Sequence, residues 1–353
     1  MRKTMILLVA ILIMTEQPVY SQPDTPVISA ERAVLMGPGG QILYGKMEHE
    51  RCLIASTTKL MTALVVLEHA LPEECVEIPA ECCGIEGSSM YLQAGESYTI
   101  QELLEGLLLA SGNDAAEALA VYCAGDADAF AGWMNEKAEE LGMTDSHFVN
   151  PHGLDADGQY SSAADLAKLM GTVLNQNDLI SIIGKRFTSC RGQSYVNHNK
   201  LLWSCPGCLG GKTGYTQAAG RCLVSCCERE GTRLICVTLS APDDWNDQKA
   251  LYDWGFQHYE TRNVTAGLRY SLPVYGGERG EAELEAEALE LFLPRDAEPE
   301  FRAELPRFVL APVQEGERAG TVTALLDGQE LGSAALRFTR EILPEEKNKG
   351  KDP

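Results

Sequence analysis

The chain's deciding stretch is Ala55-Ser-Thr-Thr-Lys-Leu-Met-Thr-Ala-Leu64, in which a serine and a lysine lead into an apolar segment. The apolar character continues to Ala70 on most sides of a helix, which predicts a buried helix over 56–70. Ser56 and Lys59 are three residues apart and would share one face of that helix. A serine hydroxyl needs a base to become a nucleophile, and burial lowers the pKa of a lysine towards that role. The stretch therefore predicts Ser56 as a nucleophile and Lys59 as its base.

A second motif, Ser111-Gly-Asn113, falls between two predicted helices at 100–109 and 114–123. Ser, Gly and Asn are common in turns for conformational reasons, so this motif has little weight by itself. Beside the first motif, the serine hydroxyl could relay a proton between Lys59 and a leaving amine. The asparagine amide could hold Lys59 and a substrate carbonyl. Ser111 and Asn113 are therefore candidate catalytic residues.

A third motif, Lys212-Thr213-Gly214, precedes a β-rich segment. An edge strand can pair with an extended peptide through its backbone. The lysine and threonine would offer a cation and a hydroxyl to a substrate carboxylate, and the glycine would let two backbones approach closely. The N–H group of Tyr215, with that of Ser56, would form an oxyanion hole. These four consecutive residues, from Lys212 to Tyr215, are the candidate substrate-binding residues.

The composition restricts the class of protein. The 353 residues are 45% hydrophobic and 23% charged, which is typical of a globular protein with room for two domains. The formal net charge of −22 argues against nucleic-acid binding, which needs clustered Lys and Arg, and disfavours adhesion to an anionic membrane. We therefore expect an acidic, soluble surface and no nucleic-acid partner.

The N-terminus has the pattern of a secretory signal peptide. Arg2 and Lys3 precede an unbroken apolar run at 5–14, and Val19-Tyr20-Ser21 offers a small-residue cleavage site. The apolar run is shorter than the ~20 residues that span a bilayer. We predict a signal peptide at 1–21 and export, with an uncleaved segment that holds the protein at the membrane as the alternative.

The twelve cysteines of an exported chain suggest disulfides, but their spacing favours no particular pairing. Cys205-Pro-Gly-Cys208 has redox or zinc spacing and stands alone, and other cysteines fall in apolar strands where they act as small hydrophobes. The histidines have no spacing suited to a metal site. We expect mainly structural cysteines, no metal and no cofactor, and leave the pairing open.

The order of predicted elements indicates an α+β fold. Strands at both ends of the first 260 residues enclose a helical middle, which suits an antiparallel sheet covered by helices with a helical subdomain. The main predicted elements of this part are strands within 33–44, helices at 126–141 and 161–174, a hairpin at 220–227 and 232–239, and a helix at 244–256.

From about residue 261, short β-type segments alternate with Gly, Pro and acidic turns, which predicts a small all-β domain. Its predicted strands are 270–274, 287–293, 303–310, 320–326 and 331–338. The charged C-terminus is typical of a disordered tail. The resulting division is a signal peptide (1–21), a first domain (22–260), a β domain (262–342) and a tail (343–353).

The three motifs together are the signature of class A β-lactamases and penicillin-binding proteins. Over about residues 27–260 the chain resembles the D-alanyl-D-alanine carboxypeptidases, which are the low-molecular-mass penicillin-binding proteins. The segment after 262 is similar to the C-terminal β domain of that family. The stretches that carry the resemblance are 55–64, 111–116 (Ser-Gly-Asn-Asp-Ala-Ala), 148–154 (Phe-Val-Asn-Pro-His-Gly-Leu), 211–216 (Gly-Lys-Thr-Gly-Tyr-Thr) and Ala219-Gly220.

The resemblance implies a β-lactamase/DD-peptidase-like fold and removal of the terminal D-alanine from peptidoglycan stem pentapeptides at the bacterial cell envelope. By motif, Ser56 would be the acylated nucleophile and Lys59 its proton acceptor. Ser111 and Asn113 would assist, and Lys212 would bind the substrate carboxylate. The implied partners are stem peptides that end in D-Ala-D-Ala, and β-lactams, which would acylate the serine as mimics of that dipeptide.

Two features depart from the family pattern. Many relatives end in an amphipathic helix that lies on the membrane, whereas the residues after Arg340 are too polar for one. Relatives also often carry an aliphatic residue where this chain has Gly211, a change that would loosen the strand without removing a catalytic group.

Two alternative functions remain open at this point. The first is a β-lactamase or a peptidoglycan endopeptidase on the same fold. A class A β-lactamase would carry Ser-Asp-Asn instead of Ser111-Gly-Asn113, would need a deacylating glutamate and has no use for a β domain. The second is a non-catalytic β-lactam sensor or wall-binding protein, which would also keep all three motifs. Release of D-alanine from a peptide would separate an enzyme from a sensor.

Overall fold

The computed structural model of the protein describes residues 25–346. The predicted signal peptide (1–21) and residues 347–353 of the predicted tail lie outside the described residues. Among the helices in this described part, none combines the length and apolar character that crossing a bilayer requires.

The first domain is built around an antiparallel sheet with the strand order β2-β1-β9-β8-β7. Its strands, with two small accessory ribbons (β3-β4 and β5-β6), are β1 (Arg32–Met36), β2 (Ile42–Lys46), β3 (Cys75–Glu77), β4 (Ser97–Thr99), β5 (Phe187–Cys190), β6 (Gln193–Val196), β7 (Cys208–Thr216), β8 (Gly220–Arg229) and β9 (Thr232–Leu239). The helices are α1 (Lys59–His69), α2 (Ile100–Glu105), α3 (Asn113–Ala124), α4 (Ala127–Glu140), α5 (Ala163–Val173), α6 (Asn177–Ile183), α7 (Leu201–Ser204) and α8 (Asp244–His258).

The sheet is buried on both faces. Val34 packs in a core shared with residues of α1, α3 and α5, whereas Leu35 packs with Leu251 and Tyr252 of α8. Successive side chains of a strand point to opposite faces of a sheet, so these two cores lie on opposite sides of it. The predicted α+β fold, an antiparallel sheet covered by helices, is confirmed.

The longer predicted helices are found with their expected start signals. The side chain of Asp126 accepts a bond from the Ala129 N–H at 2.7 Å and begins α4, and Ser162 accepts one from the Asp165 N–H at 3.2 Å and begins α5. Short elements without a long apolar period, namely α6, α7 and the β5-β6 ribbon, were not predicted, because so few residues carry no clear periodic pattern.

The C-terminal part is rich in β-strands, as predicted. One sheet has the order β14-β16-β17-β12-β11-β15, and a separate two-stranded ribbon joins β10 to β13. The strands are β10 (Tyr259–Asn263), β11 (Arg269–Tyr275), β12 (Glu281–Ala286), β13 (Glu290–Pro294), β14 (Glu300–Glu304), β15 (Val309–Leu310), β16 (Arg318–Leu326) and β17 (Gln329–Phe338). β10 follows α8 directly and runs across the proposed domain boundary at 260–262.

Two strand predictions in this part were wrong. The segment 303–310 is divided between β14 and β15, because Pro306 lies between them and cannot donate a backbone bond to a ladder. β12 was missed because its three glutamates hid a regular alternation, in which Ala282 and Leu284 are buried. Charge on the solvent-facing residues of a strand does not prevent the other face from packing.

Candidate active site

The candidate nucleophile, Ser56, lies in a 3-10 turn (Ala55–Thr58) that leads directly into α1. Residues three apart are eclipsed in such a turn, so Ser56 stands over Lys59 more closely than in an α-helix. Ala55 has a left-handed backbone with φ of 47°, and the Thr58 hydroxyl donates to its carbonyl at 2.9 Å. Gly153 packs against this turn, where a Cβ atom would lie 2.1 Å from the Ala55 oxygen. The turn therefore has a tightly constrained shape.

Lys59 is fully buried, and its Nζ contacts three oxygen atoms. They are Ser56 Oγ at 2.9 Å, Asn113 Oδ1 at 2.6 Å and the backbone oxygen of His152 at 2.7 Å. The amide and backbone oxygens can only accept hydrogen bonds, so each takes one N–H of the lysine. An uncharged amine has two N–H groups and one lone pair. The lone pair is then left for the Ser56 hydroxyl, which is the arrangement a general base needs.

The surroundings of Lys59 favour this uncharged form. Burial lowers its pKa well below the ordinary value of 10.5, and repulsion from Lys212 lowers it further. The charge of Asp114 acts in the opposite direction. His152, whose backbone oxygen contacts the lysine, has a side-chain pKa lowered to about 4, first by burial and then by Lys59. The ring of His152 therefore adds no positive charge at neutral pH.

The Ser111-Gly-Asn113 motif joins a π-helical turn (Gly106–Ala110) to α3. Ser111 is 4% exposed and has a left-handed backbone with φ of 62°, which is costly for a residue other than glycine. Asn113 gives its amide oxygen to Lys59 and donates from Nδ2 to the Glu86 carbonyl at 2.5 Å. The amide is thus held between Lys59 and the 86–92 segment.

Asp114 anchors that segment beside the site. Its fully buried carboxylate accepts bonds from the backbone N–H groups of Met90 at 2.9 Å and Leu92 at 3.1 Å, and from the Ser89 hydroxyl at 2.6 Å. These bonds connect the start of α3 to a loop that has no regular structure of its own over these residues.

We expect Asp114→Ala to destabilise the protein by about 3 kcal/mol, because it leaves two buried backbone N–H groups without an acceptor. Urea unfolding followed by circular dichroism measures this change. The matched control is Asp128→Ala, at an exposed aspartate in the first turn of α4, which should change stability by less than about 0.5 kcal/mol. Equal stability of the two variants would contradict the anchoring role.

The Lys212-Thr213-Gly214 motif lies on β7, which forms an edge of the central sheet. Gly214 approaches the nucleophile turn so closely that a Cβ atom would lie 2.9 Å from the Ile54 oxygen and 3.0 Å from the Ser56 nitrogen. The predicted close approach of two backbones is therefore present. Gly211 is also required by packing, since a Cβ there would lie 2.1 Å from the Val224 oxygen of β8.

Lys212 lies beneath the strand and is 1% exposed. Its Nζ donates to Ser111 Oγ at 3.1 Å and to the Thr213 oxygen at 2.8 Å. Burial lowers its pKa to about 7. Lys212 thus connects the second motif to the third, as Asn113 and Lys59 connect the second to the first.

A cavity of about 600 Å³ opens over the three motifs. Ser56, Ser111, Thr213, Gly214 and Tyr215 line it, so the structure brings all the predicted site residues to this cavity or directly beneath it. Lys59, Asn113 and Lys212 form the buried layer beneath, as their contacts with these residues place them.

Several residues of the site were not predicted. Arg221, Asp244, Trp203 and Trp245 line the far part of the cavity. Arg221 lies opposite Tyr215 in the β7-β8 register and pairs with Asp244 at 2.8 Å. A single arginine in a β-strand has no motif that would have indicated it. The His152 and Glu86 oxygens also lacked a signal, because any residue type can present a backbone carbonyl.

Comparison with known families places the chain in one of them. The peptidase S11 family model, described as D-alanyl-D-alanine carboxypeptidase, matches residues 19–243. The D-alanyl-D-alanine carboxypeptidase DacF of Bacillus subtilis is 32% identical, with 95% of this chain and 93% of that protein aligned. DacA of Escherichia coli is 33% identical over 91% of this chain and 85% of its own.

Solved structures agree with the sequence comparisons. Penicillin-binding protein 5 of Haemophilus influenzae superimposes with a TM-score of 0.71 at 30% identity, covering 91% of this chain and 99% of that structure. Penicillin-binding protein 6B of Escherichia coli gives a TM-score of 0.73 at 28% identity, with 90% and 97% covered. With the three motifs assembled at one cavity, the chain belongs to the S11 family of serine peptidases, the D-alanyl-D-alanine carboxypeptidases of the penicillin-binding protein type.

Proposed function

We propose that Ser56 is the nucleophile of the family's carboxypeptidase reaction and that Lys59 is its general base. The observation that carries this assignment is the set of contacts around Lys59 Nζ. Its two N–H groups are committed to Asn113 and to the His152 oxygen, and its lone pair faces Ser56 Oγ at 2.9 Å. The substrates are peptidoglycan stem peptides that end in D-Ala-D-Ala, and β-lactams are covalent inhibitors.

In the first step, Ser56 Oγ attacks the carbonyl carbon of the penultimate D-alanine while Lys59 takes the hydroxyl proton. The N–H groups of Ser56 and Tyr215 stabilise the negative oxygen that forms. The peptide bond then breaks, and the departing amine of the terminal D-alanine receives a proton through Ser111, which lies between the cavity and Lys212. Water hydrolyses the ester on Ser56 and restores the enzyme.

Recognition of the terminal carboxylate belongs to the β7 side of the cavity. Lys212 supplies positive charge from beneath the strand, and the Thr213 hydroxyl faces the cavity. Arg221 also lines this cavity, with its side chain 43% exposed, so its guanidinium has room for a second anion besides Asp244. The carboxylate would therefore contact Thr213 and Arg221, within the field of Lys212.

We expect Arg221→Gln to reduce the preference for a peptide with a free C-terminal carboxylate over the same peptide with a C-terminal amide by roughly tenfold, the value of one charge-assisted hydrogen bond. The ratio of kcat/KM for the two peptides measures this and cancels general effects on the fold. Arg221→Lys should keep most of the preference. Arg233→Gln, at an exposed arginine of the neighbouring strand, should not change it. An unchanged ratio in Arg221→Gln would exclude Arg221 from carboxylate recognition.

Release of D-alanine from a diacetyl-Lys-D-Ala-D-Ala type peptide tests the assignment directly. A folded sample that is labelled by penicillin but releases no D-alanine would support the β-lactam sensor. Rapid penicillin hydrolysis, in place of a slowly released adduct, would support a β-lactamase. The Ser111-Gly-Asn113 motif and the β domain support neither alternative over the carboxypeptidase.

We propose that the protein is exported and acts at the bacterial cell envelope, outside the cytoplasm, as its relatives do. The pattern of residues 1–21 supports a cleaved signal peptide, and an uncleaved segment would retain the protein at the membrane. The intact mass of the protein from an envelope fraction distinguishes the two forms.

A further inference from the structure

Three cysteines gather behind the β7 strand, away from the cavity. Cys205 and Cys208 flank the short turn between α7 and β7, and Cys227 lies on β8. Cys205 Sγ is 3.6 Å from Cys227 Sγ, and both side chains are buried in the core that α8 covers. Cys226, the neighbour of Cys227, packs in the opposite core.

The backbone already holds the two closest thiols in place for a bond. The Glu228 N–H donates to the Gly207 oxygen at 2.8 Å, and the Cys208 N–H donates to the Cys205 oxygen at 3.2 Å. These bonds fasten the turn to β8. A disulfide needs a sulfur separation of about 2.05 Å. Closing 3.6 Å to that value requires a small side-chain rotation rather than a change of fold.

The turn also gives the pair a reactive and accessible member. Arg229 Nη2 lies 3.8 Å from Cys205 Sγ. The hydrogen bond from Cys227 and this guanidinium lower the pKa of Cys205 to about 7. Burial and the contacts with the other two thiols raise the pKa of Cys227. Pro206 and Gly207, which cover Cys205, are exposed, so a small opening of the turn uncovers the thiolate.

We propose that Cys205 and Cys227 form a reversible thiol–disulfide exchange site whose oxidant is a low-molecular-mass disulfide. The Cys205 thiolate attacks one sulfur of the oxidant, forms a mixed disulfide and releases one thiolate. Cys227 then loses its proton and attacks the Cys205 sulfur, which releases the second thiolate and leaves the Cys205–Cys227 bond. The protein loses two hydrogens, and one disulfide is reduced to two thiols.

The bond would couple two walls of the active-site cavity to the centre of the sheet. Trp203 of α7 and Thr213 of β7 line the cavity, and the turn with Cys205 joins these two elements. Oxidation would fasten that turn covalently to β8. The closed loop of the chain between residues 205 and 227 is short, and a link of this size raises the unfolding temperature by about 5 °C or more.

The test uses the full mature chain, fully reduced and then incubated with oxidised glutathione before alkylation and trypsin digestion. We expect a disulfide-linked pair of peptides, 201–212 with 222–229, and a rise in unfolding temperature. Both should persist in Cys208→Ser and in Cys226→Ser, and both should disappear in Cys205→Ser and in Cys227→Ser. Cys226→Ser is the matched control, because it removes the adjacent buried thiol on the other face of the same strand.

Three results would overturn the proposal. The first is a wild-type chain in which this peptide pair never forms. The second is a link that survives Cys205→Ser but is lost in Cys208→Ser, which would assign the bond to Cys208. The third is a stoichiometric metal ion, detected in the purified protein by elemental analysis, that protects the thiols from glutathione. Because peptide mapping does not depend on catalysis, the outcome is independent of the assignment of Ser56.

Discussion

Ser56→Ala is expected to abolish both the release of D-alanine and covalent labelling by fluorescent penicillin. The substitution removes the only atom placed to attack, since Ser56 Oγ is the hydroxyl that contacts Lys59 Nζ at 2.9 Å. Loss of the nucleophile in serine hydrolases lowers kcat by roughly 10⁴-fold or more. The peptidase rate and the mass of the penicillin-treated protein measure the two effects on the same sample.

The control for Ser56→Ala is Ser189→Ala, at an exposed serine of β5 that bonds to the Ser194 hydroxyl. It should label and cleave like the unmodified protein. An unfolding temperature close to that of the unmodified protein would show that Ser56→Ala is folded. If a folded Ser56→Ala protein still gained the mass of penicillin, another residue would be the nucleophile.

The catalytic motifs could be predicted because each is short and needs particular side chains. Ser56 with Lys59, Ser111 with Asn113, and Lys212 with Thr213 supply groups that the chemistry cannot replace with other residue types. Their order and their likeness to a known family indicated one site, and the structure brings them within hydrogen-bond distance of one another. The α+β order of elements was also predictable, because the long helices and strands have clear apolar periods.

Other parts of the site could not be predicted because they depend on the backbone or on packing. The His152 and Glu86 carbonyls complete the site without any signal from their side chains. Gly211 was expected to loosen its strand, whereas the close approach of Val224 shows that only a glycine fits there. The contact of Cys205 with Cys227 joins residues 22 positions apart across a turn and a hairpin, and spacing alone did not favour that pair.

Lys59→Met is expected to lower the acylation rate by roughly 10³-fold, within the range that general-base catalysis supplies. Methionine has a similar length and suits the buried position, so the main loss is the lone pair that accepts the Ser56 proton. Stopped-flow labelling with a chromogenic β-lactam measures the rate. An acylation rate within tenfold of the unmodified protein would mean that another group is the base.

The pH dependence of acylation tests the same role without removing the lysine. Protonated Lys59 has no lone pair, so the rate should fall as the pH drops through its pKa and should level off above it. Because burial and Lys212 lower that pKa, the plateau should begin well below pH 10.5, the ordinary lysine value. Lys212→Met removes the repelling charge and should move the midpoint to higher pH, whatever its effect on the plateau rate. A midpoint that stays in place or moves to lower pH would show that the titrating group is not Lys59 beside Lys212.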